Sequence, residues 1–447
     1  MHRLKLVPRY KGIENAGIRL PTETQKWLDG KKRSLHLRRQ GHRRAVDQLQ
    51  LLVQKYPWVW PRKTVYFFSD LHADADAFRA SLIASGGVKA KGKRHRHLQL
   101  TKQGRRSQFL IGGDCFDKGP SNLSLLKTLK ILHDHGAHLR ILAGNHDVRV
   151  MLGMRSVNRI GTPGCEHFFV RMGPKVVPLL KEISDNYLKG AHSLKDIPGE
   201  AHCEQRLFPP ERWFDEFPEK VADLLPAAVV ERELGRVTEK RKGFDELCDN
   251  YGLSVRRVYA ATLCWQQLFL ADEGEFSWFY RHMRLAMRKG SFLFVHAGLD
   301  NTVAQSINQR GVKGLNREFR AQLQGDPLRF YYGPVANVIR TKYRPGDRHL
   351  TKAGAKQVHE TDVHVIIHGH KNGLTGQRIS LRHSIVHFEC DVTLDRHSRQ
   401  REGLKGPGAG VTIVRPDKKI IGISTDHPYV KVFDPTDLLA NGADYEA

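Results

Sequence analysis

The chain has 447 residues, 40% of them hydrophobic and 27% charged, which excludes an intrinsically disordered polymer and allows one large domain with insertions or two to three ordinary ones. Lys and Arg number 73 against 47 Asp and Glu, a net charge of +26. A field of that sign draws anions, whether phosphorylated proteins, nucleotides, nucleic acid or an anionic membrane face, without choosing among them.

Cys115, Cys165, Cys203, Cys248, Cys264 and Cys390 are scattered with no CxxC pair. That spacing argues against a disulfide framework or a zinc knuckle, and free thiols fit a reducing, cytoplasmic compartment. The opening "MHRLKLVPRY" has no apolar core or small-residue cleavage site, so no secretory signal is expected. No apolar run approaches the ~20 residues of a membrane span.

Residues 1–63 form a basic preface. "KKRSLHLRRQGHRRAVDQLQLLVQKYPWVW" reads as a helix, cationic first and then striped by Val46, Leu49, Leu52 and Val53. The plain reading is a helix packed on the main domain with a solvated basic face; nucleic-acid contact through the basic segment 31–44 is the other. "TVYFFSDLHAD" (64–74) reads as a buried strand running into a polar loop. The Gly-rich, basic segment 86–107 is an exposed loop or hairpin and a second candidate for nucleic acid. "QFLIGGD" (108–114) is a second buried strand. "SNLSLLKTLKILHDHG" (121–136) is a helix capped by Ser121 or Asn122 and stopped by Gly136. "AHLRILAGNHD" (137–147) is a third strand ending in a loop. Strand, helix, strand is an α/β pattern, and such folds bind ligands beyond the carboxyl ends of their strands.

Residues 148–289 carry helical periodicity and read as a mostly helical cap inserted into this core. The strand pattern resumes with "SFLFVHAGLD" (291–300), "DVHVIIHGHKNG" (362–373), "HSIVHFECDVTL" (383–394) and "AGVTIVRPDKKIIGIST" (409–425). The core is thus expected over 64–147 and 290–430, with 431–447 as a C-terminal tail.

Five strand ends carry polar residues of one chemical type: Asp70 and His72, Asp114, Asn145 and His146, His296, and His370. Singly, each has a plain explanation as a cap, a turn or a core histidine. Together they make an inventory of hard oxygens and imidazoles that suits two divalent metals, manganese first, with iron, zinc or magnesium as alternatives. Asp70 and His72 stand two apart, on one side of an extended strand end, and can reach one metal. Asn145, His296 and His370 can serve the other, with Asp114 between them.

The ordered set "DLH … GGDCFDKG … GNHD … HAG … GH" resembles the calcineurin-like metallophosphoesterase superfamily, closest to its phosphoprotein phosphatase and diadenosine tetraphosphatase branch, of bacterial type. The likeness covers about 64–150 and 291–425. It implies an α/β, α+β-layered fold: a two-sheet β-sandwich flanked by helices. It also implies a phosphatase in which Asp70 and His72 bind the first metal, Asp114 bridges, and Asn145, His296 and His370 complete the second. His146 would be the general acid, oriented by Asp117. Lys118 would stand where relatives have a phosphate-holding arginine, and Arg149 is a second phosphate candidate. A third would come from Arg340, Lys342 or Arg344.

Three departures stand out. Lys118 replaces arginine and so offers a point charge in place of a bidentate fork. Asp147 replaces the commoner glutamate, an expected outer-shell change. Asn372 stands where the wider superfamily often has a further histidine, and His368 is a spare imidazole beside the site.

The chemistry that follows is hydrolysis of a phosphomonoester, on a phosphoprotein or a small ester, by water activated between two metals with no phosphoenzyme. The alternatives are a phosphodiesterase or pyrophosphatase acting on a nucleotide or nucleic acid, and a basic nucleic-acid-binding protein with a vestigial metal site.

Overall fold

The computed structural model describes residues 20–27, 42–92, 97–158, 164–190 and 194–442. Most of the basic segment 31–44 lies outside them.

In chain order, β1 (Thr24–Lys26) is followed by α1 (His42–Lys55), β2 (Val65–Phe68), α2 (Ala75–Ala84), a small hairpin of β3 (Val88–Ala90) and β4 (Leu98–Leu100), α3 (Lys102–Arg106), β5 (Gln108–Ile111), α4 (Asn122–Asp134) and β6 (His138–Leu142). Helices then dominate: α5 (Asn145–Ser156), α6 (Phe168–Met172), α7 (Val177–Tyr187), α8 (Glu200–Leu207), α9 (Arg212–Lys220), α10 (Ala227–Asn250), α11 (Val255–Leu270) and α12 (Ser277–Arg281). Strands return as β7 (Met283–Arg284), β8 (Ala286–Lys289) and β9 (Phe292–Val295), before α13 (Asn301–Gly325), α14 (Pro327–Tyr332) and α15 (Lys352–Glu360). The chain closes with β10 (Val365–His368), β11 (Arg378–Arg382), β12 (Ile385–Glu389), α16 (Arg396–Arg401), β13 (Gly410–Val414), β14 (Ile420–Ser424), β15 (Val430–Phe433) and α17 (Pro435–Gly442).

The strands build an eight-stranded sheet, β1-β15-β14-β13-β2-β5-β6-β7, and a five-stranded sheet, β11-β12-β10-β9-β8. Within the first, β2, β5, β6 and β7 are parallel; within the second, β9, β10 and β12 are. Period-two alternation decides what each face meets. Val65 and Phe67 of β2 enter a core with Leu110, Phe294, Ile367 and Phe388, where the two sheets face each other. Tyr66 and Phe68 turn to the other core, under the helices. Phe67 and Phe294 meet across the sandwich with ring centroids 5.9 Å apart. The fold is the expected α/β sandwich of two sheets flanked by helices.

Four assignments differ from the sequence expectation. Thr24–Lys26 of the preface is a strand, parallel to β15, and it carries the fully buried Trp27 into the sandwich core. Its three residues give too short a run for periodicity to register. The strand pattern resumes at Met283, inside the stretch expected to be helical, because β7 and β8 supply edges to the two sheets. Val430–Phe433 pairs with β14 and α17 packs on α1, so the described part of the segment expected to be a C-terminal tail, through Gly442, is part of the fold. "GNHD" lies in the first turn of α5 with Gly144 at its N-cap, where a loop was expected. The stripe on α1 behaves as expected: Leu49 and Val53 are buried against the sandwich, with Val46 half-buried.

Among the described residues, no helix is long and apolar enough to cross a membrane.

Candidate metal centre

The carboxyl ends of β2, β5, β6, β9 and β10 converge on one place. The pairing of β2 with β5 runs on beyond the strands: Asp70 N–H donates to Gly113 O at 3.2 Å and His72 N–H to Asp114 O at 2.8 Å. Past that point the backbone is strained. Asp70 (φ 55°), His72 (41°), Asp114 (56°), Asp117 (68°), Lys118 (68°) and His370 (64°) all occupy the left-handed region. Each such non-glycine residue costs of order 1–3 kcal/mol and persists where surrounding structure enforces it, most often at functional sites. Two glycines admit the close approach. A Cβ on Gly144 would stand 2.3 Å from Asp114 Oδ1, and one on Gly369 would stand 2.1 Å from Asp70 Oδ2.

Two triads have ligand-type atoms within 4.8 Å of one another: Asp70, His72 and Asp114; and Asp114, His296 and His370. Asp114 is common to both. Its Oδ2 lies 3.8 Å from His72 Nε2 and 3.5 Å from His296 Nε2. Asn145 joins the second triad through Oδ1, 3.2 Å from His296 Nε2.

The imidazoles are oriented by backbone carbonyls, which can only accept. His72 Nδ1 faces Phe116 O at 3.2 Å, His296 Nδ1 faces Gly112 O at 2.8 Å, and His370 Nε2 faces Arg340 O at 3.0 Å. Each ring spends its one N–H there and turns its remaining lone pair inward, the usual outer support of a metal-binding histidine. His296 Nε2 and His370 Nδ1 consequently face each other at 3.2 Å. At that separation the two nitrogens need a proton or a metal cation between them, and with Asp114 Oδ2 3.5 Å from His296 Nε2 the donor set fits divalent metal.

The electrostatics agree. Burial opposes ionisation of Asp114, yet the charges of His296 and His146 outweigh it and hold its pKa well below the usual carboxylate range. Burial alone would depress His296, but Asp114 and then Asp70 push it up to about 10. Asp70 is raised, by burial first and with Asp114 adding to it.

His146, the proposed proton donor, sits at the rim of the triads with Nε2 3.9 Å from Asp114 Oδ2. Its Nδ1 lies 2.7 Å from Asp117 Oδ2 and 2.8 Å from Arg149 Nη2, and Arg149 Nη2 also donates to Asp117 Oδ2 at 3.1 Å. Burial and then the Arg149 charge hold its pKa well below that of free histidine. Lys118 Nζ lies 2.7 Å from His72 Nε2, beside the first triad.

The 340–344 segment needs correction. Arg340 is next to the centre through its carbonyl only; its guanidinium runs the other way, onto Tyr331 O and Gly333 O. Those carbonyls occupy the donors a phosphate would need. Arg344 is exposed. Lys342 is the member whose charge acts on His370, after burial, His296 and Asp114. His368 is buried in β10, with Nδ1 on Gly369 O at 2.9 Å, and is a strand residue.

Three acidic residues that shape the site went unrecognised in the sequence or were undervalued there. Asp147 accepts from the backbone N–H groups of Asp114 (2.8 Å), Cys115 (2.7 Å) and Gly144 (3.1 Å), and so rivets "GGD" to "GNHD". Burial, followed by the Asp114 charge, raises its pKa to about 7. Glu182, on α7, accepts from Ser121 Oγ (2.8 Å), Asn122 N (2.9 Å) and Leu123 N (2.9 Å) at the start of α4. Asn122 Oδ1 in turn accepts from Asp117 N at 3.0 Å. Asp391 follows the buried β12 as Asp70 follows β2; burial and then the Asp70 charge raise it to about 8. That shared strand-end position was its one signal in the sequence.

Residues 63–223 match the family model for calcineurin-like phosphoesterases. Over that stretch the chain is similar to calcineurin-like phosphoesterases. The matched stretch includes Asp70, His72, Asp114, Asn145 and His146, while His296 and His370 lie beyond it and reach the centre through the second sheet. Among solved structures, the chain is similar to a cold-active protein tyrosine phosphatase of a psychrophilic Shewanella, at 14% identity and a TM-score of 0.38 over 83% of this chain and 80% of that one. It is also similar to a protein serine/threonine phosphatase of Saccharomyces cerevisiae resembling human phosphatase PP5, at 13% identity and a TM-score of 0.36 over 92% of both chains. No curated protein matches the chain.

Proposed function

We propose that the protein is a metal-dependent phosphatase of the phosphoprotein phosphatase type, hydrolysing a phosphomonoester through two divalent ions. The observation that carries this reading is Asp114, shared by two Asp/His triads whose imidazoles turn their free lone pairs inward. Asp70, His72 and Asp114 would hold one ion; Asp114, Asn145, His296 and His370 the other. When bound, such ions supply Lewis-acid activation of water and neutralise charge on the phosphoryl oxygens.

The chain's own residues supply the rest. Asp117 and Arg149 hold the His146 ring through Nδ1 and leave Nε2 facing the centre, where in the protonated ring it carries a proton to the leaving oxygen. Lys118 and Arg149 hold the phosphoryl oxygens, Arg149 with the directional donors of a guanidinium and Lys118 as a point charge. Burial of Asp70, His72, Asp114 and His146 keeps bulk water away from these charges, which strengthens them.

The test is turnover of p-nitrophenyl phosphate with Mn²⁺, alongside metal content, for the wild type and His146→Ala. The expected result is metal-dependent turnover that falls by about 10²–10⁴-fold in the variant. Metal-loaded protein that turns over no phosphate ester refutes the reading.

A second reading, a phosphodiesterase or pyrophosphatase acting on nucleotide or nucleic acid, is favoured by the β3–β4 hairpin. Lys89 and Lys91 on it, and Lys102, Arg105 and Arg106 on the following α3, are all exposed. It requires nucleic-acid binding that weakens steeply with salt, because released counterions drive it; a flat salt response removes it.

A further inference from the structure

A row of cations leads away from His146 into the helical segment. Lys118 and Arg149 begin it, beside His72 and Asp117. Helix α5 packs on α6 with Gly153 against the Met172 side chain, and the 3-10 turn Gly173–Val176 that follows carries Lys175 at the solvent edge. Helix α10 packs on that turn and brings in Lys240. Lys240 lies close over Gly173, where a Cβ would stand 3.3 Å from its Cγ and 3.4 Å from its Nζ, and its ammonium donates to Arg171 O.

Acids balance this row only in part: Asp117 Oδ2 is already engaged by His146 and Arg149, and its Oδ1 is buried without a hydrogen-bond partner. Glu233, the acid nearest Lys240, is held by Arg171 at 3.0 Å and Arg236 at 2.7 Å. The crowding registers on both lysines. Lys175 is lowered by burial and then by Arg149 and Lys118. Lys240 is lowered to about 6, by burial and then by Arg171, Arg149 and Lys175. Cations gathered in a partly buried place repel one another and favour loss of the Lys240 proton; an anion entering there relieves the repulsion and restores the Lys240 charge, which is how such a cluster gains affinity.

We propose that Lys175 and Lys240, with Arg149, form a second anion subsite on the leaving-group side of His146, which receives a second phosphoryl group of the substrate. The inference rests on the phosphatase reading for the direction of the leaving group. In the reaction so selected, water adds to the scissile phosphorus and the P–O bond to the leaving group breaks. The bonding pair stays on the leaving oxygen and His146 supplies its proton, which the attacking water restores, so one phosphorylated alcohol or phosphate and one inorganic phosphate are formed. The subsite takes no part in bond making. Its chemistry fits either a phosphoanhydride or a second ester on the same small molecule.

The experiment compares kcat/KM for p-nitrophenyl phosphate, a hexose bisphosphate and inorganic pyrophosphate, in the wild type, Lys175→Ala, Lys240→Met and the charge-matched control Lys289→Met. Lys289 ends β8, beside the start of β9 and opposite the end that carries His296. The expected result is a loss on the two-phosphate substrates at least tenfold greater than on p-nitrophenyl phosphate for Lys175→Ala and Lys240→Met, and no such difference for the control. Preference between the hexose bisphosphate and pyrophosphate identifies the ester or the anhydride as the source. Equal losses on all substrates, or the same selectivity loss in Lys289→Met, overturn the subsite. Calorimetric binding of hexose bisphosphate against hexose monophosphate to the metal-free protein separates the two readings. A bisphosphate preference that vanishes in Lys175→Ala supports the subsite even if no ester is turned over, and absence of any preference in the wild type refutes it.

Discussion

Replacing Asp147 by alanine removes the carboxylate that closes the turn carrying Asp114. Oδ2 accepts from Asp114 N at 2.8 Å and Gly144 N at 3.1 Å, and Oδ1 from Cys115 N at 2.7 Å. Asp147 is 0% exposed, so bulk water does not take over these donors. Each buried N–H left without a partner costs roughly 1–3 kcal/mol, which puts Asp147→Ala at about 3–9 kcal/mol, with the low end applying if a water fills the space. A domain of ordinary stability has roughly 5–15 kcal/mol in total, so the variant should be severely destabilised. Asp147→Asn keeps one accepting oxygen and points an NH₂ at N–H donors, so it should lose about half as much. Asp147→Glu keeps the acceptors but inserts a methylene into a packed turn, at about 1–3 kcal/mol. Urea denaturation followed by far-UV circular dichroism orders the three: alanine worst, asparagine next, glutamate mildest. If Asp147→Ala unfolds within about 1 kcal/mol of the wild type, the turn is held by something else and the reasoning fails.

Other consequences are equally measurable. Asp114→Asn should abolish binding of both ions, whereas His72→Ala and His370→Ala should each leave one equivalent; metal analysis after gel filtration decides, and equal stoichiometry in all three excludes a bridging role. Glu182→Ala should cost about 2–4 kcal/mol by uncapping α4, while Glu182→Gln, which still accepts, should cost less. Because Asn122 links that cap to Asp117, kcat should fall in Glu182→Ala and recover in Glu182→Gln; unchanged kcat in both would show a purely structural cap. His167 is 0% exposed, and burial, then the Arg171 charge, lower its pKa to about 3. A depressed pKa stabilises the fold above the unfolded value of about 6.5, and that contribution is lost as pH falls toward 3, by about 2 kcal/mol at pH 5. His167→Gln should flatten the pH dependence of stability by that amount between pH 7.5 and 5, and an unchanged slope would contradict it.

The parts that were legible in the sequence share a cause. Buried parallel strands are continuous apolar runs, and the polar residue that ends each run is visible without tertiary knowledge; Asp70, Asp114 and His296 were found this way. Strands of two or three residues, such as β1 and β7, carry no period to read. Arg340 illustrates a different limit. Its carbonyl and its guanidinium point to different places, and only the three-dimensional path of the chain assigns the first to His370 and the second to Tyr331 and Gly333. Glu182 and Lys240 lie in amphipathic helices where an acid or a base is ordinary, so nothing local marked them.

On the proposed two-ion reading, the division of candidate ligands between the two sheets would tie metal binding to closure of the sandwich. Asp70, His72 and Asp114 follow strands of the large sheet, and His296 and His370 follow strands of the small one. Polar contacts that span the seam at the centre include His296 Nδ1 to Gly112 O at 2.8 Å, His370 N to Asp70 Oδ2 at 3.0 Å, and His296 Nε2 to Asn145 Oδ1 at 3.2 Å. Beneath them the sheets are held apart at a fixed spacing by side chains such as Phe67, Phe294 and Phe388. Phe294→Ala touches no ligand, yet by opening a cavity it should cost about 3–5 kcal/mol and let the sheets shift relative to each other. The second ion, which needs Asp114 from one sheet and His296 and His370 from the other, should then weaken more than the first, whose ligands all follow strands of the large sheet. Equal weakening of both ions would mean that the seam moves as one rigid unit.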